Sequence, residues 1–101
     1  MPKHRINITL AAEQDLAEIY DYIANDNPSA ALQLIGEIER RILQLEDFPD
    51  MGLMPKIRRL ARKGYRILIV DTYLVFYAVP KNETVEIRRI LSGKRDFEFI
   101  I

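Results

Sequence analysis

Three strand-like runs fill the chain from residue 64 onward, and the links between them leave each strand no course but to turn back on the one before. GYRILIVD, TYLVFYAV and TVEIRRIL are rich in Ile, Val, Tyr and Phe, which suit a pleated, largely covered surface. Asp71-Thr72 joins the first pair and Pro80-Lys81-Asn82-Glu83 the second, so both links read as hairpins. The central strands are nearly all apolar, as expected where both faces are covered. Arg66, Arg88 and Arg89 are the exceptions. Arginine is expensive to bury unpaired, so these heads are expected on an open face or at an edge. Strict alternation sends Arg88 and Arg89 to opposite faces, and only one of them can then share a surface with Arg66.

Upstream the period changes. Residues 5–10 alternate polar and apolar, a short first strand. AAEQDLAEIYDYIAN then places Leu16, Ile19, Tyr20 and Ile23 at i, i+3, i+4 and i+7, an amphipathic helix. Asp26-Asn27-Pro28 stops it and starts the next, with Asn27 as cap and Pro28 in the first turn. The second helix runs from about Ser29 to Glu46 on an apolar stripe of Ala31, Leu34, Ile35, Ile38, Ile42 and Leu45. Gly36 inside it costs close to ~1 kcal/mol relative to alanine, which predicts close approach of another backbone, that of the first helix. The short link makes the two helices antiparallel. Phe48–Gly52 is stop and turn chemistry, and residues 53–63 form a basic connection anchored by Leu60. The reading is one α+β domain over residues 1–101, β-α-α-β-β-β, with an antiparallel helical hairpin packed on one face of an antiparallel sheet.

Composition closes off several functions. The chain has 101 residues, 49% of them hydrophobic and 30% charged, a globular mixture large enough for a single core. There is no cysteine and only one histidine, His4, so disulfides, thiolate zinc sites and histidine-rich metal sites are excluded and no cofactor is expected. His4 reads as a solvated residue near a chain end. No apolar run approaches the roughly 20 residues of a membrane span, and MPKHRINITL is too short and polar for a signal peptide, so the cytoplasm is the expected location. The net charge of zero hides a division. Residues 1–53 hold four basic and ten acidic residues, giving −6, and residues 54–101 hold eleven and five, giving +6. Such asymmetry points to a basic working surface for an anionic partner, unless the two halves interleave and their fields cancel.

The segments AAEQDLAEIYDYIA, NPSAALQLIGEIERRILQLEDFPDMG, GYRILIVDTYLVFYAV and VEIRRILSGKRD, in that order, resemble the RelE/ParE superfamily of toxins from toxin–antitoxin modules. The resemblance spans nearly the whole chain. It implies a small toxin held inactive by a cognate antitoxin whose C-terminal segment wraps it. RelE-type members cleave messenger RNA inside the ribosome, whereas ParE-type members inhibit DNA gyrase and lack that nuclease chemistry. Fold does not separate the two, so the site has to.

Cleavage through a 2′-hydroxyl needs a base, positive groups for the charged phosphorane, and an acid for the leaving oxygen. In RelE-like nucleases one arginine lies in a strand with a GYR-like start, here Arg66, and another in a terminal GKR, here Arg95. Lysines of the preceding basic segment match Lys56 or, with a one-residue slip, Arg58 and Arg59. The resemblance therefore implies Arg66, Arg95 and Lys56 as catalytic, with Arg58, Arg59, Arg62, Lys63, Lys94 and Arg88 contacting RNA or another target. The plainer alternatives are an Arg66–Glu86 ion pair and, for Arg95, a solvated charge or a pair with Asp96. Proton transfer is poorly supplied. Nuclease members carry a histidine or tyrosine at the strand end or in the last residues, where this chain has Ser92, Phe97, Phe99, Ile100 and Ile101. A serine hydroxyl titrates too high without an activating base. Tyr65, Tyr73 and Tyr77 read first as packing residues, Lys56 or Lys63 serves as base only if clustered charge lowers its pKa, and Phe97 and Phe99 fold back on the sheet or stack on bases. Ribosome-dependent mRNA cleavage leads narrowly over gyrase inhibition, with a plain nucleic-acid-binding module third. An acidic antitoxin segment that folds on the basic face is expected under either toxin reading.

Overall fold

A computed structural model describes residues 3–95 and 101. Strand β1 (Ile6–Ile8) leads into helices α1 (Leu10–Ala24) and α2 (Pro28–Leu43), the latter extended by a 3₁₀ turn at Gln44–Glu46. A single-turn helix α3 (Arg58–Arg62) precedes β2 (Tyr65–Val70), β3 (Tyr73–Ala78) and β4 (Val85–Ser92). The α+β class and the order of elements are those read from the sequence. The first strand stops short of Leu10 because Thr9 caps α1, its hydroxyl oxygen accepting the Ala12 N–H at 3.2 Å. Asn27 caps α2 in the same way through Ala30.

The sheet order is β1-β4-β3-β2. Both hairpins are antiparallel, but β1 lies parallel to β4, with Ile6 opposite Val85 and Ile8 opposite Ile87. The sheet is thus mixed rather than antiparallel throughout. A parallel neighbour needs a long crossover, and the helical hairpin supplies it. One face packs on the helices through Ile19, Ile38, Ile42, Leu45, Val75 and Ile87. The other carries Tyr65, Phe76 and Leu91 beneath fully buried Leu60 of α3, with Ile57 and Ile101 against them. This double cover explains why the strands are apolar on both sides. Just after α3, Gly64 adopts φ +80°, the left-handed conformation that ends a helix cheaply only at glycine.

Two further expectations are corrected. Tyr77 pairs with Ile87 but Phe76 pairs with Arg89, so a β-bulge inserts Arg88 as an extra residue in β4. Ile87 and Ile90 consequently both reach the helix-covered core although they are three apart, and the alternation that separated Arg88 from Arg89 does not hold across the bulge. Gly36 is exposed and a Cβ there would meet nothing within 4 Å. No backbone approaches it, so its helix cost stands uncompensated within the described residues.

Candidate functional site

Arg66, at the outer edge strand β2, is committed inward. Its guanidinium donates to the carbonyl oxygens of Asp50 at 3.3 Å and Gly52 at 3.0 Å, with the largely exposed Asp50 carboxylate 3.8 Å from Nε. Opposite it in the ladder, the Tyr77 hydroxyl donates to the Pro49 carbonyl and accepts the Gly52 N–H, both at 2.8 Å. Gly52 has no room for a side chain, since a Cβ would lie 2.6 Å from the Tyr77 oxygen. Together Arg66 and Tyr77 clamp the turn over residues 49–52. Burial raises the Tyr77 pKa above its ordinary 10.0, against the opposing pull of the Gly52 bond and the Arg66 charge. The expected Arg66–Glu86 pair does not form. Glu86 instead accepts from Arg88 at 2.8 Å, and Arg88 lies 5.1 Å over the Tyr65 ring.

The residue that sequence reasoning passed over is Asp15. It is 5% exposed, takes both arms of the Arg89 fork at 2.8 Å, and accepts the Ile90 N–H at 2.8 Å. β1 pairs only with Val85–Ile87. Beyond it, Thr9 Oγ1 bonds the Arg88 carbonyl and Asp15 serves Ile90, so two side chains continue the edge of β4 where the strand has run out. The signal was present: Ala12, Asp15 and Ile19 share one helix face, and an acid on a buried stripe needs a partner.

Arg95 stands at the far end of the sheet. Its N–H closes a turn onto the Ser92 carbonyl, and Gly93 donates to Thr72 at 2.8 Å. Ser92 Oγ accepts the Lys94 N–H. A cleft of about 390 Å³ opens here, with Glu18, Tyr22, Tyr73, Ser92 and Arg95 in its wall. The Tyr73 pKa is raised, by burial first and then by Tyr22 and Asp71, which keeps its proton in place at neutral pH. Arg66 and Arg95 do not meet. Arg66 is level with Tyr77, the Gly93 turn is level with Thr72 and Tyr73, and β2 and β4 flank β3 on opposite sides. Four residues of strand alone span about 13 Å. Lys56, Arg58, Arg59, Arg62 and Lys63 form an exposed basic ridge around α3, and Lys94 is exposed beside Arg95. The Asp96 partner and the Phe97 and Phe99 tail proposed above lie outside the described residues. No group of three or more His, Cys, Asp or Glu side chains able to hold a metal occurs among the described residues.

A helical hairpin packed on a four-stranded mixed sheet is an architecture shared with solved chains of toxin–antitoxin systems. The fold is shared with a chain from the chromosomal ParDE toxin–antitoxin system of P. aeruginosa, at TM-score 0.71 and 23% identity over 89% of this chain and 96% of that one. It is shared also with a chain of the RelBE2 toxin–antitoxin complex from Mycobacterium tuberculosis, at TM-score 0.61 and 22% identity over 91% and 99%. No curated protein matches the sequence. Residues 6–97 match the family model described as the ParE toxin of the type II toxin–antitoxin system parDE, and the chain belongs to that family. It is accordingly a toxin neutralised by a cognate antitoxin. Among the described residues no helix is long and apolar enough to cross a membrane.

Proposed function

We propose that this toxin arrests growth by binding its target rather than by cutting RNA, and that the target is DNA gyrase in the cytoplasm. The observation that carries the reading is the engagement of Arg66. A phosphate-stabilising arginine has to present its fork to the phosphorane, and here one arm of the guanidinium, Nη1, is taken by two carbonyls of the 49–52 turn, with Nε turned toward the Asp50 carboxylate. Arg88 and Arg89 are likewise held by Glu86 and Asp15. The proton-transfer side supports the same reading, since Ser92 meets a backbone amide and the shifts at Tyr73 and Tyr77 run upward. Family membership on the ParE side agrees with it.

The test adds purified protein to a gyrase supercoiling assay and, separately, to a coupled translation extract. Stalled supercoiling with intact messenger RNA is the expected result. Site-specific mRNA cuts that vanish in Arg66→Ala, Arg95→Ala and Lys56→Ala would overturn it and establish Arg66, Arg95 and Lys56 as a nuclease set.

A further inference from the structure

We propose that the ridge of Lys56, Arg58, Arg62 and Lys63 docks the phosphodiester backbone of nucleic acid, with duplex DNA as its ligand. The placement of that DNA beside a target enzyme rests on the gyrase reading, but the chemistry of the ridge does not. From Met51 through Val70 the sequence has no acidic residue, and six of those positions are Lys or Arg. Arg66, one of the six, is turned inward as described. Lys56, Arg58, Arg62 and Lys63 are all exposed and make no salt bridge to a carboxylate of the described residues. The strand-borne Arg88 and Arg89 each have one. Like charges crowded on so short a stretch repel one another, and an anionic ligand relieves that repulsion.

The ridge is also built on a fixed base. Leu53 and Ile67 exchange backbone hydrogen bonds at 2.8 Å in each direction, Pro55 and Leu60 are buried, and Ile57 packs into the outer core. Leu60 and Ile57 therefore pack into the protein while Lys56, Arg58, Arg62 and Lys63 are exposed. An acidic peptide that folds on its partner draws affinity from apolar anchors as well as charge; the exposed apolar side chains nearest the ridge, Leu53 and Met54, precede it in the chain, and none of residues 56–63 is an exposed apolar one. Duplex DNA, with about one negative charge per 1.7 Å of axis, needs none. Guanidinium forks match phosphate oxygens, and two of these four residues are arginines.

The test is fluorescence anisotropy of the full chain with a labelled duplex of about 20 base pairs and no gyrase present, titrated between about 50 and 200 mM salt. Four phosphate contacts give a slope of log K against log salt of about −3.6, which is a loss of about a hundredfold across that range. The variant Lys56→Gln/Arg58→Gln/Arg62→Gln/Lys63→Gln should lose most of that slope and at least about tenfold in affinity. The variant Lys3→Gln/Arg5→Gln/Arg40→Gln/Lys81→Gln removes as much charge from other exposed positions and should retain most of both. If the first variant does not fold by circular dichroism, Arg58→Gln/Arg62→Gln replaces it and should lose about half the slope. Equal losses in the two quadruple variants, tighter binding of duplex RNA or polyglutamate than of DNA, or an equal loss in Leu53→Ser/Met54→Ser overturns the proposal. So does wild-type protein that fails to bind DNA, whether or not it inhibits supercoiling. DNA binding without inhibition of supercoiling leaves the ridge in place and removes the gyrase reading instead.

Discussion

Asp15 shows how one side chain can stand in for a strand. Its two oxygens satisfy three donors, two from Arg89 and one from the Ile90 backbone, and truncation leaves all three without an acceptor. Asp15→Ala should therefore lower the free energy of unfolding by about 3 kcal/mol in urea denaturation, the lower end for breaking a buried pair because Arg89 keeps some contact with water. Tyr77 plays a comparable part on the other side of the sheet. Tyr77→Phe keeps the ring but strands the Gly52 N–H and the Pro49 carbonyl, at a cost of about 1–3 kcal/mol. The raised Tyr77 pKa adds a pH signature. The folded state holds that proton more tightly than the unfolded chain, so its contribution is whole below pH 10.0 and is lost as pH rises through the raised value. The margin of wild type over Tyr77→Phe should narrow in urea midpoints measured above about pH 10.

Among the elements, α2 carries a correctable flaw. Gly36 sits mid-helix with open space where a Cβ would be, so Gly36→Ala should stabilise by about 0.5–1 kcal/mol. A melting experiment should show a rise of a few degrees, about 4 °C; a fall would mean that the position is occupied in a way the fold does not reveal. The helices and hairpins were legible because each rests on local chemistry: the 3.6-residue stripe, the Asn27-Pro28 start, the two-residue Asp71-Thr72 link. The partner of β1 was not, since a three-residue strand carries no mark of the strand it will join. Nor was the bulge. Arg88 and Arg89 look like ordinary alternation until Ile87 and Ile90 are both required by the same core. At the site, exposure of the ridge followed directly from its composition. The inward fate of Arg66 did not, because it depends on carbonyls 14 and 16 residues away.

For the whole molecule, the division of charge seen in the sequence is partly undone by folding, as Asp15–Arg89 and Asp50–Arg66 pair across the two halves. What remains is sorted by role, with the strand-borne arginines holding the structure and the ridge facing outward. Arg66→Lys separates structure from action. It should cost about 1–2 kcal/mol of stability through the lost Nη1 bonds to the Asp50 and Gly52 carbonyls, while inhibition of supercoiling by the folded fraction stays at the wild-type level. Loss of toxicity with full stability would return Arg66 to the role of a working residue.

The joining of β1 and α1 to β4 also has a temporal consequence. The bonds Thr9–Arg88 and Asp15–Ile90 span 79 and 75 positions of the chain, and such long loops must close before their contacts return any free energy. On the ribosome, the helical hairpin emerges well before β4 and β2–β3 immediately before it, yet β4 is the strand that lies between β1 and β3. A nascent chain therefore cannot join β1 to β3 until β4 is made, and the interval before then is one in which the cell holds it without its assembled sheet.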